Sequence, residues 1–398
     1  MRILLVNDYG CLAGGAEAIV SGLRDELRNR GHEVGLLTSD AGSRGAPLQV
    51  DYLCRGTTSS FRTLLQCANP FARRVMASAL SEFRPDVVHV NLYLTQLSPS
   101  ILPLLAHIPT VYYAMWYRAV CPLGTKLLPD GKHCAERDGV ACFRNGCVPL
   151  RDWIPLQWQR AVDRRWRSIA FRRVVAISHA VAEKLKNYGG GDFREIEVVH
   201  PGTAEASCRS SLPPNPLFIF AGRLVPEKGC EVLLRAFALA LAKIPSARLA
   251  IIGDGPSVAR LKKNANELGI ADRVEFLGKR TNSETQCSMR EAWAVCVPSL
   301  WEEPFGLVAA EAQMNGVPVI ASNCGGLMEI ATPESGAWLV PPGCVDSLAG
   351  ALIEAGRNPE GVERRGAAAH ECSRTRFGMD RFTDRFEKIY RSLLNFKN

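Results

Sequence analysis

Residues 210–224 read SSLPPNPLFIFAGRL, a proline-rich break running straight into an apolar, aromatic run that stops at Gly222. Proline interrupts helix and sheet ladders alike, and the FIF run bounded by it and by glycine reads as a buried strand. Beyond it, CEVLLRAFALALAKI (230–244) has helical spacing, ARLAIIGDGP (247–256) is a strand closing on glycines, and VARLKKNANELG (258–269) is again helical. RVEFLG (273–278), AWAVCVPS (292–299) and PVIAS (318–322) continue the strand series. The same alternation precedes the break: RILLV (2–6), EAIVSGLRDELRNR (17–30), EVGLLTS (33–39). Strand and helix in turn, with near-continuous apolar strands, is the signature of parallel βαβ units. The chain therefore divides into two α/β domains that meet near residues 203–214: a first domain over 1–205 and a second over 206–375. The segment FTDRFEKIYRSLLNF, within 376–398, has helical apolar spacing and is expected to pack back on the first domain.

With 47% hydrophobic and 22% charged residues the 398-residue chain can bury sizeable cores. It has no run of eighteen apolar residues, and MRILLV meets Asn7 and Asp8 before it could form a signal-peptide core, so a cytoplasmic protein is expected. Most of the fourteen cysteines stand singly in apolar stretches, which suits buried thiols in a reducing compartment. A net charge of +8 permits an anionic partner. The basic residues lack the aromatic interleaving or Cys/His spacing of nucleic-acid modules, so no nucleic-acid partner is expected.

Two segments admit two readings each. CPLGTKLLPDGKHCAERDGVACFRNGC (121–147) gathers Cys121, Cys134, Cys142 and Cys147, with His133 as a spare ligand. The four cysteines staple a long loop through metal or disulfides, or they are plain free thiols. RDWIPLQWQRAVDRRWRSIAFRR (151–173) puts Ile154, Trp158, Ala161, Val162, Trp166, Ile169 and Ala170 on one helical face and Arg160, Arg164 and Arg167 on another, with Asp152 placed to cap it. It is either a helix lying on an anionic membrane or an ordinary amphipathic helix packed on its own domain.

The stretches that carry chemistry lie at strand ends. GGAE opens the first helix: Gly14 and Gly15 let backbone amides approach an anion at a helix amino terminus. Neither a Gly-x-Gly-x-x-Gly fingerprint nor a Walker lysine motif is present, which argues against a dehydrogenase and a P-loop NTPase. In AGRLVPEKG, Arg223 and Lys228, flanked by Gly222 and Gly229, can clamp a diphosphate. Gly253 and Gly255 in IIGDGP suit close backbone approach at the carboxyl edge of a parallel sheet. In EEPFGLVAAE (302–311) the Pro-Phe-Gly turn starts a helix whose first amides, at Phe305, Gly306 and Leu307, invite an anion, while Glu303 and Glu311 can each accept two hydroxyls of a vicinal diol. Two diol hooks flanking a phosphate seat match a nucleotide sugar, which has hexose, diphosphate and ribose in that order.

Taken together, GGAEAIVSGLRDELRNRGHEV, AISHAVAEKL, HPG, AGRLVPEKG, IIGDGP, VEFLG, PSLWEEPFGLVAAEAQMNGVPVIAS and the pair Gly325–Gly326 resemble the retaining nucleotide-sugar glycosyltransferases of glycosyltransferase family 4, along nearly the whole chain. The resemblance implies the GT-B fold, two Rossmann-like parallel-sheet domains facing across a cleft. It implies that Arg223 and Lys228 neutralise the departing nucleoside diphosphate, that Glu303 holds donor-sugar hydroxyls and Glu311 the ribose, and that Gly14 and Gly15 approach the diphosphate. Anomeric retention, a UDP- or GDP-linked donor and a growing glycan acceptor follow from the same likeness, and a lipid-linked acceptor at the membrane face rests on it together with the basic, tryptophan-bearing segment 151–173. It also implies no cofactor and no metal for leaving-group departure; a DxD metal motif is absent from the sequence. One position departs: relatives read HxYxxxCP where MWYRAVCP (115–122) stands here, so Met115 replaces a histidine that lines the donor-sugar site, while Tyr117 and the CysPro pair match. Met115, Tyr117 and Ser178 are expected on the acceptor side, although Ser178 better suits a plain N-cap. Rival readings are a non-catalytic nucleotide-sugar binder and a transferase for a small soluble acceptor.

Overall fold

The computed structural model describes all residues except 12–13, 43–46, 48, 60–61, 207, 210 and 396–398, and the side chain of Asp192. The chain forms two compact units, one of residues 1–202 with 379–398 and one of residues 203–378. The transitions thus lie at Gly202/Thr203 and Gly378/Met379, a few residues from the expected divisions. The reason is local: the Thr203 amide and hydroxyl both donate to the Phe377 carbonyl, at 2.8 and 3.1 Å, and Thr203 bridges Gly378, so the chain enters and leaves the second unit side by side.

The first unit holds a seven-stranded sheet built from β1 (Arg2–Tyr9), β2 (Glu33–Ser39), β3 (Tyr52–Cys54), β4 (Val87–Val90), β5 (Thr110–Ala114), β6 (Arg173–Ala176) and β7 (Ile196–Val198), in the order β3-β2-β1-β4-β5-β6-β7. Every pairing is parallel. Such strands are buried on both faces, which is why Ile3, Leu4, Leu5 and Val6 are all fully buried. The second unit repeats the pattern with β8 (Leu217–Ala221), β9 (Arg248–Ile252), β10 (Val274–Gly278), β11 (Ala294–Val297), β12 (Val319–Ser322) and β13 (Trp338–Val340), in the order β10-β9-β8-β11-β12-β13. In each unit the strand order reverses direction at one place, between β1 and β4 and between β8 and β11. Open α/β sheets leave their crevices at the carboxyl ends of those strands.

The terminal helix, Met379–Asn395, belongs to the first unit and closes it. Phe386 and Tyr390 are fully buried, and the Tyr390 hydroxyl lies 2.6 Å from Nδ1 of His89 on β4. Burial lowers the His89 pKa to about 3, so the ring stays neutral there. Arg30 pairs with Asp384 at 2.6 Å, and His32 with Glu387 at 2.7 Å, along the same helix.

The helix expected within 151–173 spans Leu150–Ala170, and its burial is not that of an apolar face packed wholly on its own domain. Leu156, Gln159, Asp163, Arg167 and Ala170 are its buried residues, whereas Leu150, Ile154, Trp158 and Ile169 are exposed, Trp158 by 65%. Asp163 explains this: it accepts from the Tyr93 hydroxyl at 2.7 Å and pairs with Arg167 at 3.3 Å, so a satisfied polar cluster takes the inward face. Arg160 and Arg164 are paired with Asp138. The helix starts at Leu150 without a side-chain cap, so Asp152 sits inside its first turn and accepts from the Thr63 hydroxyl at 2.8 Å. No described helix is long and apolar enough to cross a membrane.

Candidate functional site

In the second unit the switch-point loops are clamped to one another by backbone contacts. The Leu224 amide donates to Asp254 at 2.9 Å, and the Leu300 amide to Glu227 at 2.8 Å. A Cβ at Gly253 would lie 1.9 Å from the Gly222 carbonyl oxygen, and one at Gly255 would lie 2.4 Å from that of Leu224. These two glycines therefore let the loops after β8 and β9 touch, which accounts for them as packing positions of this unit. Arg223 is exposed at the end of β8.

Lys228 ends a short 3-10 turn, Pro226–Lys228, and its ammonium lies 2.9 Å from Oε1 of Glu303 and 5.8 Å from the centre of the Trp301 ring. The Ser299 hydroxyl donates to the same Oε1. Glu303 is 5% exposed, yet among the described residues no hydrogen bond or ion pair engages its Oε2. One oxygen is anchored by a cation and a hydroxyl while its twin has neither. The loop that carries Glu303 is backed by the pair after β12: the Gly326 amide donates to the Glu303 carbonyl at 2.7 Å, and a Cβ on Gly326 would lie 2.5 Å from the Pro304 oxygen.

The helix Leu307–Met314 begins at Gly306, whose φ of 109° is a conformation that an L side chain resists; a Cβ there would also meet Leu327 at 2.3 Å. No side chain caps this start. The amides of Leu307 and Val308 lie in the first turn, where a helix has no internal acceptor, so their partial positive charge faces outward. Phe305 is buried against Phe377, 5.5 Å between ring centres, and so serves the core behind the turn. Glu311, one turn on, is partly exposed, and burial of its carboxyl raises its pKa to about 7 against a 3.1 Å hydrogen bond from Asn282. A hollow of about 1100 Å³ in this unit opens at the opposite edge, at the amino ends of β8, β9 and β10, away from these groups.

The first unit fills its own switch point. Asp8, at the end of β1, is fully buried and accepts the amides of Thr95, Gln96 and Leu97 at 2.9, 2.8 and 2.9 Å, with the Thr95 hydroxyl added. Burial raises its pKa and these bonds oppose the rise. Gly14 caps the helix Gly15–Asn29 in an extended conformation. The Glu17 carboxylate folds back on this start: burial raises its pKa, and hydrogen bonds from the amides of Glu17 and Gly14 oppose the rise. Met115, Tyr117 and Ser178 are all buried, and the Ser178 hydroxyl accepts from the Val181 amide at 3.1 Å, the plain N-cap of helix His179–Tyr188.

Ser299, Trp301 and Asn282 join the site without having been singled out. The first two lie inside the PSLWEEPFG motif, where a hydroxyl and an indole beside paired glutamates are the available signal. Asn282 meets Glu311 only through the fold, and nothing in its surroundings in the sequence marks it.

Residues 13–205 match Glycosyltransferase Family 4, and residues 209–371 match Glycosyl transferases group 1. The chain belongs to glycosyltransferase family 4. Among curated proteins it is similar to a D-inositol 3-phosphate glycosyltransferase of Streptomyces bingchenggensis, 34% identical over 241 residues covering 55% of this chain and 52% of that one. It is likewise 35% identical over 232 residues to the D-inositol 3-phosphate glycosyltransferase of Mycolicibacterium smegmatis, covering 54% and 49%. The chain spans about half the length of the curated relatives it matches. Among solved structures, Anabaena Alr3699/HepE in complex with UDP and glucose superposes with a TM-score of 0.69 at 20% identity over 98% of both chains. The sucrose-phosphate synthase of Thermosynechococcus elongatus does so with a TM-score of 0.75 at 21% identity over 99% of both. These likenesses establish the GT-B fold.

Proposed function

We propose that this family 4 glycosyltransferase moves a hexosyl unit from a nucleotide diphosphate sugar to a glycan acceptor with retention of configuration. The observation that carries the reading is Glu303, held on Oε1 by Lys228 and Ser299 with Oε2 open to sugar hydroxyls. Beside it, the uncapped start of helix Leu307–Met314 suits phosphate oxygens, and Glu311 suits the ribose. In the proposed step the bond from the anomeric carbon to the diphosphate breaks, and an acceptor hydroxyl oxygen bonds to that carbon on the same face. Its proton passes to the leaving phosphate oxygen. Arg223 and Lys228 supply the positive charge that the departing diphosphate needs, without a divalent metal or other cofactor.

The acceptor we favour is a lipid-linked saccharide met at an anionic, cytoplasm-facing membrane. Exposed Leu150, Ile154 and Trp158, with Arg151, Arg164 and Arg165 exposed beside them, support docking of helix Leu150–Ala170 on such a surface. A small soluble acceptor is the second reading, favoured by the inositol phosphate in the names of the relatives.

Thermal melts with UDP-, GDP-, ADP- and dTDP-sugars in chelator test the donor, because a ligand that binds only the folded state raises Tm. One donor series should shift Tm and release its nucleoside diphosphate when acceptor is added, and Glu303→Ala should abolish release. A Tm shift without turnover in the wild type points to a non-catalytic binder, the role that Met115 in place of histidine suggests. Flotation with anionic vesicles, lost in Trp158→Glu, supports the membrane acceptor; absence of flotation favours the soluble one.

A further inference from the structure

Residues 120–149, between the end of β5 and helix Leu150–Ala170, carry only one short helix, Val140–Arg144, and one isolated bridge, Leu127 with His133. The segment's apolar side chains do little to anchor it: Leu123, Val140 and Phe143 are 45%, 55% and 42% exposed. What converges instead is sulfur. Cys121, Cys134, Cys142 and Cys147, spread along the whole segment, line a single cavity of about 10 Å³, and all four are free thiols. That volume is about one water-sized sphere, the space of one small ion. Backbone bonds set the thiols' places, from the Cys134 amide to Lys126 at 2.8 Å and from the Cys147 amide to Cys142 at 3.0 Å. The exposed His133, the spare candidate from the sequence, does not line the cavity.

A cation is built into the same wall. Lys126 is 3% exposed with a left-handed φ of 56°, and its ammonium donates to the Glu136 carbonyl at 2.6 Å and sits 3.6 Å from the centre of the Tyr188 ring. Burying an ammonium is costly unless a negative charge answers it. Of the carboxylates that also line the cavity, Asp138 is taken by Arg160 and Arg164 and Glu136 is exposed, so two disulfides would leave four neutral sulfurs around the ammonium. Four thiolates on a divalent ion carry a net charge of −2, which a neighbouring ammonium offsets.

We propose that Cys121, Cys134, Cys142 and Cys147 bind one zinc ion as a closed tetrathiolate, and that this ion holds residues 120–149 in place. Zinc suits four sulfur ligands and has no redox chemistry, and a site with all four positions taken is structural. Binding displaces the thiol protons to solvent, so affinity rises with pH. Among the described residues no three of these sulfurs lie within 4.8 Å of one another. In a tetrahedral site with Zn–S of ~2.3 Å, neighbouring sulfurs stand roughly 3.8 Å apart, so binding draws the loop inward.

The test uses the full chain, loaded with zinc chloride, desalted and measured by elemental mass spectrometry, with cobalt(II) substitution in parallel. Expected are one zinc per chain, the intense visible bands of tetrahedral cobalt thiolate, and loss of both in Cys142→Ser. Cys208→Ser, an exposed cysteine outside the cluster, should keep one zinc. Because Cys142→Ser could fail to fold, alkylation of the wild type decides independently: the four cysteines should resist iodoacetamide in zinc and react after chelation. Wild-type protein that retains no stoichiometric zinc, unchanged zinc in a folded Cys142→Ser, iron with labile sulfide, or a disulfide between any two of the four would overturn the proposal.

Discussion

At the carboxyl end of β1, Asp8 is buried and takes three backbone amides from the loop beyond β4, whereas in the loop beyond β11 Glu303 takes both its partners on one oxygen and leaves the other open. Both residues sit where a 3-2-1-4-5-6 strand order reverses. Both are carboxylates in sparsely solvated surroundings. One is consumed by the chain's own amides, and the other keeps an oxygen that the chain does not engage. Neither Gly14 nor Gly306 supplies a side-chain cap to the helix it starts, but at Gly15–Asn29 the buried Glu17 carboxylate lies by the first amides. Topology offers two crevices of one kind, and side-chain chemistry decides which is spent on holding loops and which keeps open groups, the one we propose for binding.

The largest test of that contrast is Lys228→Ala, which removes the cation fixing Glu303. Loss of one preorganised charge of this kind costs about 10²–10³ in kcat. Rates of nucleoside diphosphate release should fall by that much with Tm little changed, and a drop below tenfold would break the comparison. Asp8→Ala should do the converse. It orphans several buried amides at about 1–3 kcal/mol each, so a Tm loss of roughly 5–10 °C is expected, with the donor-induced Tm increment preserved.

How much of this was legible differs between the two sites. The alternation of strand and helix, the glycine-ended strands and the run PSLWEEPFG stand in the sequence because local periodicity and turn chemistry write them there. The contact of Asn282 with Glu311 joins segments that only the sheet brings together. Helix Leu150–Ala170 shows a limit of periodicity: it locates an apolar face but not which face is buried, and burial goes to the one where Asp163 and Arg167 are satisfied with Tyr93. Asp8 could be noticed as a charge at the end of an apolar strand, but its partners lie on another loop.

A smaller effect comes from pH. The folded pKa of Glu311, about 7, lies above its ordinary value of 4.5. Its folded state therefore favours the proton, the stability this adds is full below 4.5, and it is lost as pH rises through about 7. Donor binding should run the other way, since a diol hook accepts best when ionised. Titration of donor Kd should show several-fold tightening from about pH 6 to 8, flat in Glu311→Gln. The smallest expected change is in Glu17→Gln. Weakening the carboxylate that occupies the Gly14 amide should tighten donor binding a few-fold if Gly14 and Gly15 also receive the diphosphate, and calorimetry showing no gain would confine donor phosphate binding to the second unit.

The return of helix Met379–Asn395 to the first unit has a consequence for biogenesis. On the ribosome, the sheet β1–β7 emerges before any of the second unit exists, yet the helix that covers His89 and Tyr113 is made only after β8–β13. The half of the molecule translated first is the last to be finished, and until then the nascent chain displays the apolar seat of Phe382, Phe386 and Tyr390 to chaperones.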